Sequence, residues 1–241
     1  MKSILLLSFI MLECFLAPGS MAQDLYFKNY QVNDGLSGNT ITSILQDSKG
    51  FMWFGTRNGL NRFDGYSFRT FRNIPTDSFS IGSNSILSLC EDDNEQLWIG
   101  TYKGAYIYNP ARERFTLFRQ LPEQEVRCIA KDSHHNIWIV ADQVLYRYNP
   151  SNRQLKTYSF PSTQSTAVVC SPTGKIWVAG SSGMIMCFDN ESESFTSYDI
   201  RGIIPGIAAN AIQDIYPVND STLLVGTMYN ALLLHAKPGG S

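Results

Sequence analysis

The sequence predicts an all-β protein, a β-propeller of four-stranded antiparallel blades, and three observations carry that expectation. A phrase close to FMWFGTRNGLNRFDG (Phe51–Gly65) returns as WIGTYKGAYIYNP, WIVADQVLYRYNP, WVAGSSGMIMCFDN and LVGTMYNALLL. Its anchors Trp53, Trp98, Trp138, Trp177 and Leu224 lie 45, 40, 39 and 47 residues apart. A period of about 40 marks a repeat architecture. Aromatics form 12% of the 241 residues, and β-branched and aromatic runs suit pleated, half-buried surfaces.

Each unit reads in the same order. A first apolar run (ITSILQD, ILSLCED, VRCIAKD, TAVVCS, IQDIYPV) ends in a polar turn such as Asp47-Ser48-Lys49-Gly50 or Asp92-Asp93-Asn94-Glu95. The Trp strand follows, then a tight turn and a third strand (LNRFD, AYIYN, LYRYN, MIMCFD). A second turn, often Asn-Pro, leads to a short fourth strand (FRTF, FTLF, LKTY, FTSY). Four short strands per unit describe a propeller blade. Trp53 and Gly55 share one face of their strand, so the glycine leaves space beside the indole or lets a neighbouring blade approach. Asn58-Gly59 reads as a two-residue hairpin with positive φ at both positions. Lys103-Gly104, Ser182-Gly183 and Tyr229-Asn230 offer similar chemistry. Gln143-Val144 does not, because a β-branched residue resists positive φ, and a longer or distorted turn is expected there.

The ends carry separate readings. Lys2 and the apolar run Ile4–Leu16, before Pro18-Gly19-Ser20-Met21-Ala22, describe a signal peptide over 1–22, with the propeller over 23–241. An uncleaved anchor is the rival, but the run is short and interrupted by Glu13. Phe27-Lys28-Asn29-Tyr30 matches the fourth-strand pattern, so Leu25–Val32 is expected to complete the last blade and remove an open edge. About five blades are present, which fits either a closed five-bladed ring or part of a seven-bladed one.

The stretch YFKNYQVNDGLSGNTITSILQDSKGFMWFGTRNGLNRFDGYSFRTF resembles the two-component regulator propeller repeats. The residues that carry this are the lead-in Asp34-Gly35-Leu36-Ser37, the turn Asp47-x-x-Gly50 and the strand Trp53-Phe54-Gly55-Thr56. The resemblance implies an exported, periplasmic sensor region of a hybrid two-component histidine kinase, anchored in the inner membrane through parts beyond this chain. It implies a further propeller, a β-sandwich and a kinase as partners, oligosaccharides from polysaccharide breakdown as ligands, and a homodimer for the full-length receptor. The alternatives are a secreted propeller enzyme, a lyase or glycosidase, and a scaffold for protein contacts.

The residues themselves bound the chemistry. A formal charge of −2 gives no basic excess for nucleic acid. His134, His135 and His235 are the only histidines; the adjacent pair reads as a solvated turn. No catalytic or phosphate-binding motif occurs, and no catalytic residue, metal or cofactor is expected. Cys90, Cys128, Cys170 and Cys187 have no zinc-like spacing and read as buried free thiols. Asp47, Asp92 and Asp132 recur at one place in successive units, as turn residues bonding their own backbone do. Binding is expected at the second-to-third-strand turns, on the same face as the loops joining blades. Those turns and loops carry Arg57, Asn58, Tyr102, Lys103, Asp142 and Tyr229, where aromatic rings and polar groups suit a sugar.

Overall fold

The repeating phrase folds as expected. The computed structural model describes residues 26–142, 144–159, 165–180, 183–190, 192–201, 212–227 and 231–235. After a 3-10 turn at Val32–Asp34, the first blade is β1 (Ile41–Gln46), β2 (Met52–Thr56), β3 (Gly59–Phe63) and β4 (Phe68–Phe71). The second is β5 (Ile86–Glu91), β6 (Leu97–Thr101), β7 (Gly104–Asn109) and β8 (Arg114–Leu117). The third is β9 (Val126–Lys131), β10 (Ile137–Ala141), β11 (Val144–Asn149) and β12 (Gln154–Ser159). The fourth is β13 (Ser165–Cys170), β14 (Ile176–Gly180), β15 (Met184–Asp189) and β16 (Ser194–Asp199). The fifth has three described strands, β17 (Ile212–Asn219), β18 (Thr222–Thr227) and β19 (Ala231–His235). Every sheet is an antiparallel meander in chain order, so this is a five-bladed β-propeller architecture.

Inner strands pack in succession, β1 on β5, β5 on β9, β9 on β13 and β13 on β17. Among the described residues no comparably packed pair joins β17 back to β1. The row Tyr216–Leu224–Leu233, paired across the fifth sheet, is accordingly 66%, 41% and 56% exposed. Leu224 holds the place taken by tryptophan in the other blades.

Those tryptophans face the following blade. Trp53 meets Tyr108 at 5.4 Å, Trp98 meets Tyr148 at 5.6 Å and Trp138 meets Phe188 at 4.8 Å between ring centroids. Each indole is at most 2% exposed, so these aromatic pairs are the centres of the inter-blade cores. The glycine two residues on permits the approach. A Cβ on Gly55 would lie 2.8 Å from Ile86, and one on Gly100 would lie 2.6 Å from the carbonyl oxygen of Val126, both on the next blade's inner strand. Gly226, in the fifth blade, meets nothing nearer than 3.5 Å. Gly100→Ala is therefore expected to cost ~1–3 kcal/mol by overpacking, whereas Gly226→Ala should change stability by no more than about 0.5 kcal/mol. Paired urea melts check this; equal losses at the two positions would mean the glycine does not set blade spacing.

The recurrent aspartates do more than close their own turns. Asp47 Oδ1 accepts the backbone N–H of Lys49 and Phe51 at 3.0 and 2.9 Å, while Oδ2 accepts the indole N–H of Trp53 at 2.8 Å. Asp92 does the same for Asn94, Gln96 and Trp98. Asp132 does it for His134, Asn136 and Trp138, adding the Asn136 side chain. The last residue of each turn needs positive φ, and Gly50, Glu95, His135 and Gly174 all take it. In the fourth blade Ser171 replaces the aspartate. Its hydroxyl accepts from Lys175 N and donates to Asp220 of the fifth blade, and the buried indole N–H of Trp177 has no partner among the described residues.

Two expectations change. Residues 26–30 form no strand, and Tyr26 and Phe27 are almost fully exposed; without a neighbouring ladder an extended segment has nothing to hold it as a strand. The hairpin turns also sit one residue earlier than expected. Thr56 pairs with Gly59 and Thr101 with Gly104, so the loop residues are Arg57-Asn58 and Tyr102-Lys103. Only the glycines that follow have positive φ, 136° and 106°. In the third blade Ala141 pairs with Val144, giving a turn that is not longer but is distorted relative to the others. The positive φ moves to Asp142, at 53°, which spares Val144. Ser182 and Tyr229-Asn230 lie outside the described residues, as does the signal segment.

Among the described residues Cys90, Cys128, Cys170 and Cys187 are free. Burial pushes the thiol of Cys90 up to about 12 and those of Cys128 and Cys187 up to about 11, so none is a reactive thiolate at neutral pH.

A candidate ligand-binding rim

In an antiparallel meander the start of the first strand, the turn between the second and third strands and the end of the fourth strand share one end of the blade. Hydrogen bonds across the turns tie this end together. Thr56 Oγ1 accepts Asn58 N at 3.0 Å and donates to Gly59 O at 2.9 Å; Thr101 repeats the pattern with Lys103 N and Gly104 O. This explains the threonine of the repeated phrase. Gly59 N donates to Asn84 O of the next joining loop, and Asp142 N donates to Glu125 O.

The lead-in segment is fixed to the same end by a buried polar network. Asn61, fully buried, accepts Ser37 N at 2.8 Å and donates to Ser37 Oγ and Phe54 O at 2.9 and 3.1 Å. Ser37 Oγ also meets Thr56 Oγ1 at 2.8 Å. In the second blade Tyr106 stands where Asn61 does in the first, since each pairs with the residue after its Trp. There Gly82 is the lead-in residue beside it. A Cβ on Gly82 would fall 1.8 Å from the Tyr106 hydroxyl, so the larger ring requires the glycine.

Arg57, Asn58, Tyr102, Lys103 and Asp142 are all exposed, at equivalent turns of three successive blades. They are not equally free. Asn58 Nδ2 donates to Ser37 O at 2.9 Å and the Asn58 backbone carbonyl accepts from Arg72 Nε at 3.0 Å, which makes the residue a brace for the lead-in loop. Among the described residues the side chains of Arg57, Tyr102, Lys103 and Asp142 make no hydrogen bond or ion pair with one another. Tyr229 lies outside the described residues.

Elsewhere charge is neutralised between blades. Lys49 meets Glu95 at 2.9 Å, Arg69 meets Glu113, and Lys131 meets Asp93 at 2.8 Å. Asp93 also takes the ring of His135 at 2.6 Å. Lys156 and Arg147 together hold Glu193, at 2.8 and 2.6 Å, and keep its carboxyl down at about 2. At the rim end Arg127 pairs with Glu125 and Arg201 with Asp199, whereas Arg57 and Lys103 on the turns have no carboxylate partner among the described residues.

One feature of this end had no signal in the repeat pattern. The long joining loop Arg72–Asn84 borders an open recess of about 450 Å³ against the second blade's outer strands, lined by the buried Tyr106, by Asn73 and by the exposed Asp77, Phe79, Thr116 and Arg119. Residues 72–79 of the loop fall between the two stretches that carry the repeat pattern, so most of its recess has no counterpart in the motif.

The two-component regulator propeller repeat matches residues 35–58 and 80–103. Both spans run from a lead-in loop through two strands to the rim turn, ending on Asn58 and Lys103. A stretch of 74 residues, 30% of this chain, is 46% identical to histidine kinase P4 of Formosa agariphila and corresponds to 5% of that protein. The extracellular domain of the hybrid two component system BT3049 from B. thetaiotaomicron has a TM-score of 0.73 at 23% identity, over 87% of this chain and 30% of that one. Virginiamycin B lyase from Staphylococcus aureus has a TM-score of 0.64 at 14% identity, over 81% of this chain and 65% of that one. At these identities the structural likeness speaks for the propeller fold alone. The chain spans less than a third of the length of the two signalling relatives.

Proposed function

We propose that this chain, which carries two-component regulator propeller repeats, is the ligand-sensing portion of an exported hybrid two-component receptor. Its ligand is an oligosaccharide bound at the rim, and its partners are the further propeller, sandwich and kinase parts of the full-length protein. The observation that carries this reading is that both repeat matches end on the rim turns, where the side chains of Arg57, Tyr102 and Lys103 are exposed and unengaged among the described residues. A tyrosine ring offers a face for sugar C–H groups, and the cations and the Asp142 carboxylate bond hydroxyls. In this reading the chain works in the periplasm, and binding, not turnover, is its activity.

Arg57→Ala and Tyr102→Ala are expected to weaken oligosaccharide binding by about tenfold each while leaving the melting temperature unchanged, since exposed side chains seldom contribute more than about 0.5 kcal/mol. Calorimetric titration against polysaccharide digests reads the first, and thermal melts the second. Undiminished affinity in both variants would move the site off the rim. Product formation from the digests would favour the lyase or glycosidase reading.

A further inference from the structure

We propose that the open recess beside the Arg72–Asn84 loop is a second binding site, distinct from the rim turns, for an anionic ligand of hexose size: a sugar bearing a carboxylate or a sulfate. Its volume of about 450 Å³ is within the range of small-molecule sites, roughly 300–1,000 Å³.

The walls are held in place by the protein itself. Asn73 N donates to Asn84 Oδ1 at 2.7 Å and Asn73 Nδ2 to Ile81 O at 2.9 Å. The Ser80 hydroxyl accepts Ile74 N and contacts the carbonyls of Ile74 and Asp77. At the far side Phe115 N, on the edge strand β8, donates to Phe79 O at 2.9 Å, and the Arg114 guanidinium lies 4.0 Å from the Phe79 ring centroid. A loop pinned at both ends and in the middle loses little freedom on binding, which favours affinity.

The unengaged groups give the ligand its chemistry. The lining holds one acid and one base, Asp77 and Arg119. Asp77 already accepts Phe79 N at 2.9 Å, whereas Arg119 makes no hydrogen bond or ion pair among the described residues. A guanidinium in a recess matches an oxyanion through two parallel N–H bonds. Beside it stands the Tyr106 phenol, whose ring is 8% exposed and whose hydroxyl has no described protein partner. Burial pushes the Tyr106 pKa up, the Glu123 charge adds to this, and Arg119 opposes it, so the group is a protonated donor at neutral pH. Among the described residues the hydroxyls of Ser78 and Thr116 are also unengaged, and Phe79 supplies an apolar wall for a sugar's C–H face. With the Asp77 carboxylate turned to Phe79 N, a cation, a neutral phenol and two hydroxyls around an apolar wall remain to meet an oxyanion, which suits a charged sugar better than a neutral one.

Equilibrium dialysis of the full chain against labelled D-glucuronate, D-glucose 6-sulfate and D-glucose tests this. At millimolar concentration at least one of the two anions should be retained, and which one tells carboxylate from sulfate. Glucose should bind at least about tenfold more weakly. Arg119→Ala should abolish the retention and Tyr106→Phe should weaken it with the fold intact by circular dichroism. Arg57→Ala should leave it unchanged, which separates this site from the rim. Retention of neither anion, equal retention of glucose, or full binding by Arg119→Ala would overturn the proposal.

Discussion

Asp132→Ala is expected to lower the melting temperature by roughly 6–12 °C, the largest loss for any single polar side chain in the propeller. The carboxylate is 3% exposed and accepts four hydrogen bonds: from the backbone of His134 and Asn136, the amide of Asn136, and the indole of Trp138 at 2.7 Å. Removing it strands these donors, one of them on a fully buried indole at the centre of the inter-blade core. Hydrogen bonds to a charged group contribute about 1.5–3 kcal/mol, and unsatisfied buried donors cost a comparable amount. These terms are not additive, and a net loss of ~3 kcal/mol is the expected scale; in a domain of this size each kcal/mol moves the midpoint by about 2–4 °C. Ser171→Ala is the internal comparison. The fourth blade's indole is already without a partner, so that change should cost about 1 kcal/mol. Calorimetric melts of both variants decide the matter, and equal losses would show that the aspartate–indole bond adds nothing to the turn.

How much of this was legible beforehand depends on whether a residue belongs to the repeat. Trp53, Gly55, Asp47 and their counterparts recur at fixed spacing, so period, strand order and the packing role of the glycine followed from the sequence. The aspartates were readable as turn residues because their backbone bonds are local. The indole bond was not, since it needs the turn folded back on the next strand. Register was misplaced by one residue at Arg57-Asn58 because Asn-Gly is equally good chemistry for a turn or for the residues on its edge. The threonine hydroxyl that closes the turn settles which it is. The Ser37–Asn61–Thr56 network joins residues far apart in the chain, and the recess beside the Arg72–Asn84 loop depends mostly on residues between the two stretches that carry the repeat pattern. Neither leaves a trace in a repeat pattern. Asn58 was legible as a rim residue but not as one already spent on Ser37 and Arg72.

The full chain, isolated, is expected to self-associate in a concentration-dependent manner, because both outer blade faces carry apolar side chains that inner blades bury. On the fifth blade Tyr216, Leu224 and Leu233 form one cross-strand row, each at least 41% exposed. The equivalent tryptophans of blades one to three are closed off by the next blade's aromatic ring. On the first blade the opposite face offers Ile44, 58% exposed, and Phe54 beside Phe68 at 5.9 Å. Contiguous apolar faces of this kind drive association, and each large apolar side chain newly covered contributes about 1.5–3 kcal/mol. Sedimentation velocity across a concentration series should therefore show species heavier than the monomer. Leu224→Glu with Leu233→Glu should shift the distribution toward monomer, because two carboxylates on that row make its burial unfavourable. A chain extended by about two further blades should be monomeric and melt more sharply. A cooperative melt and a strictly monomeric wild-type chain would instead mean that the first and fifth faces cover one another in solution, as a closed five-bladed ring requires.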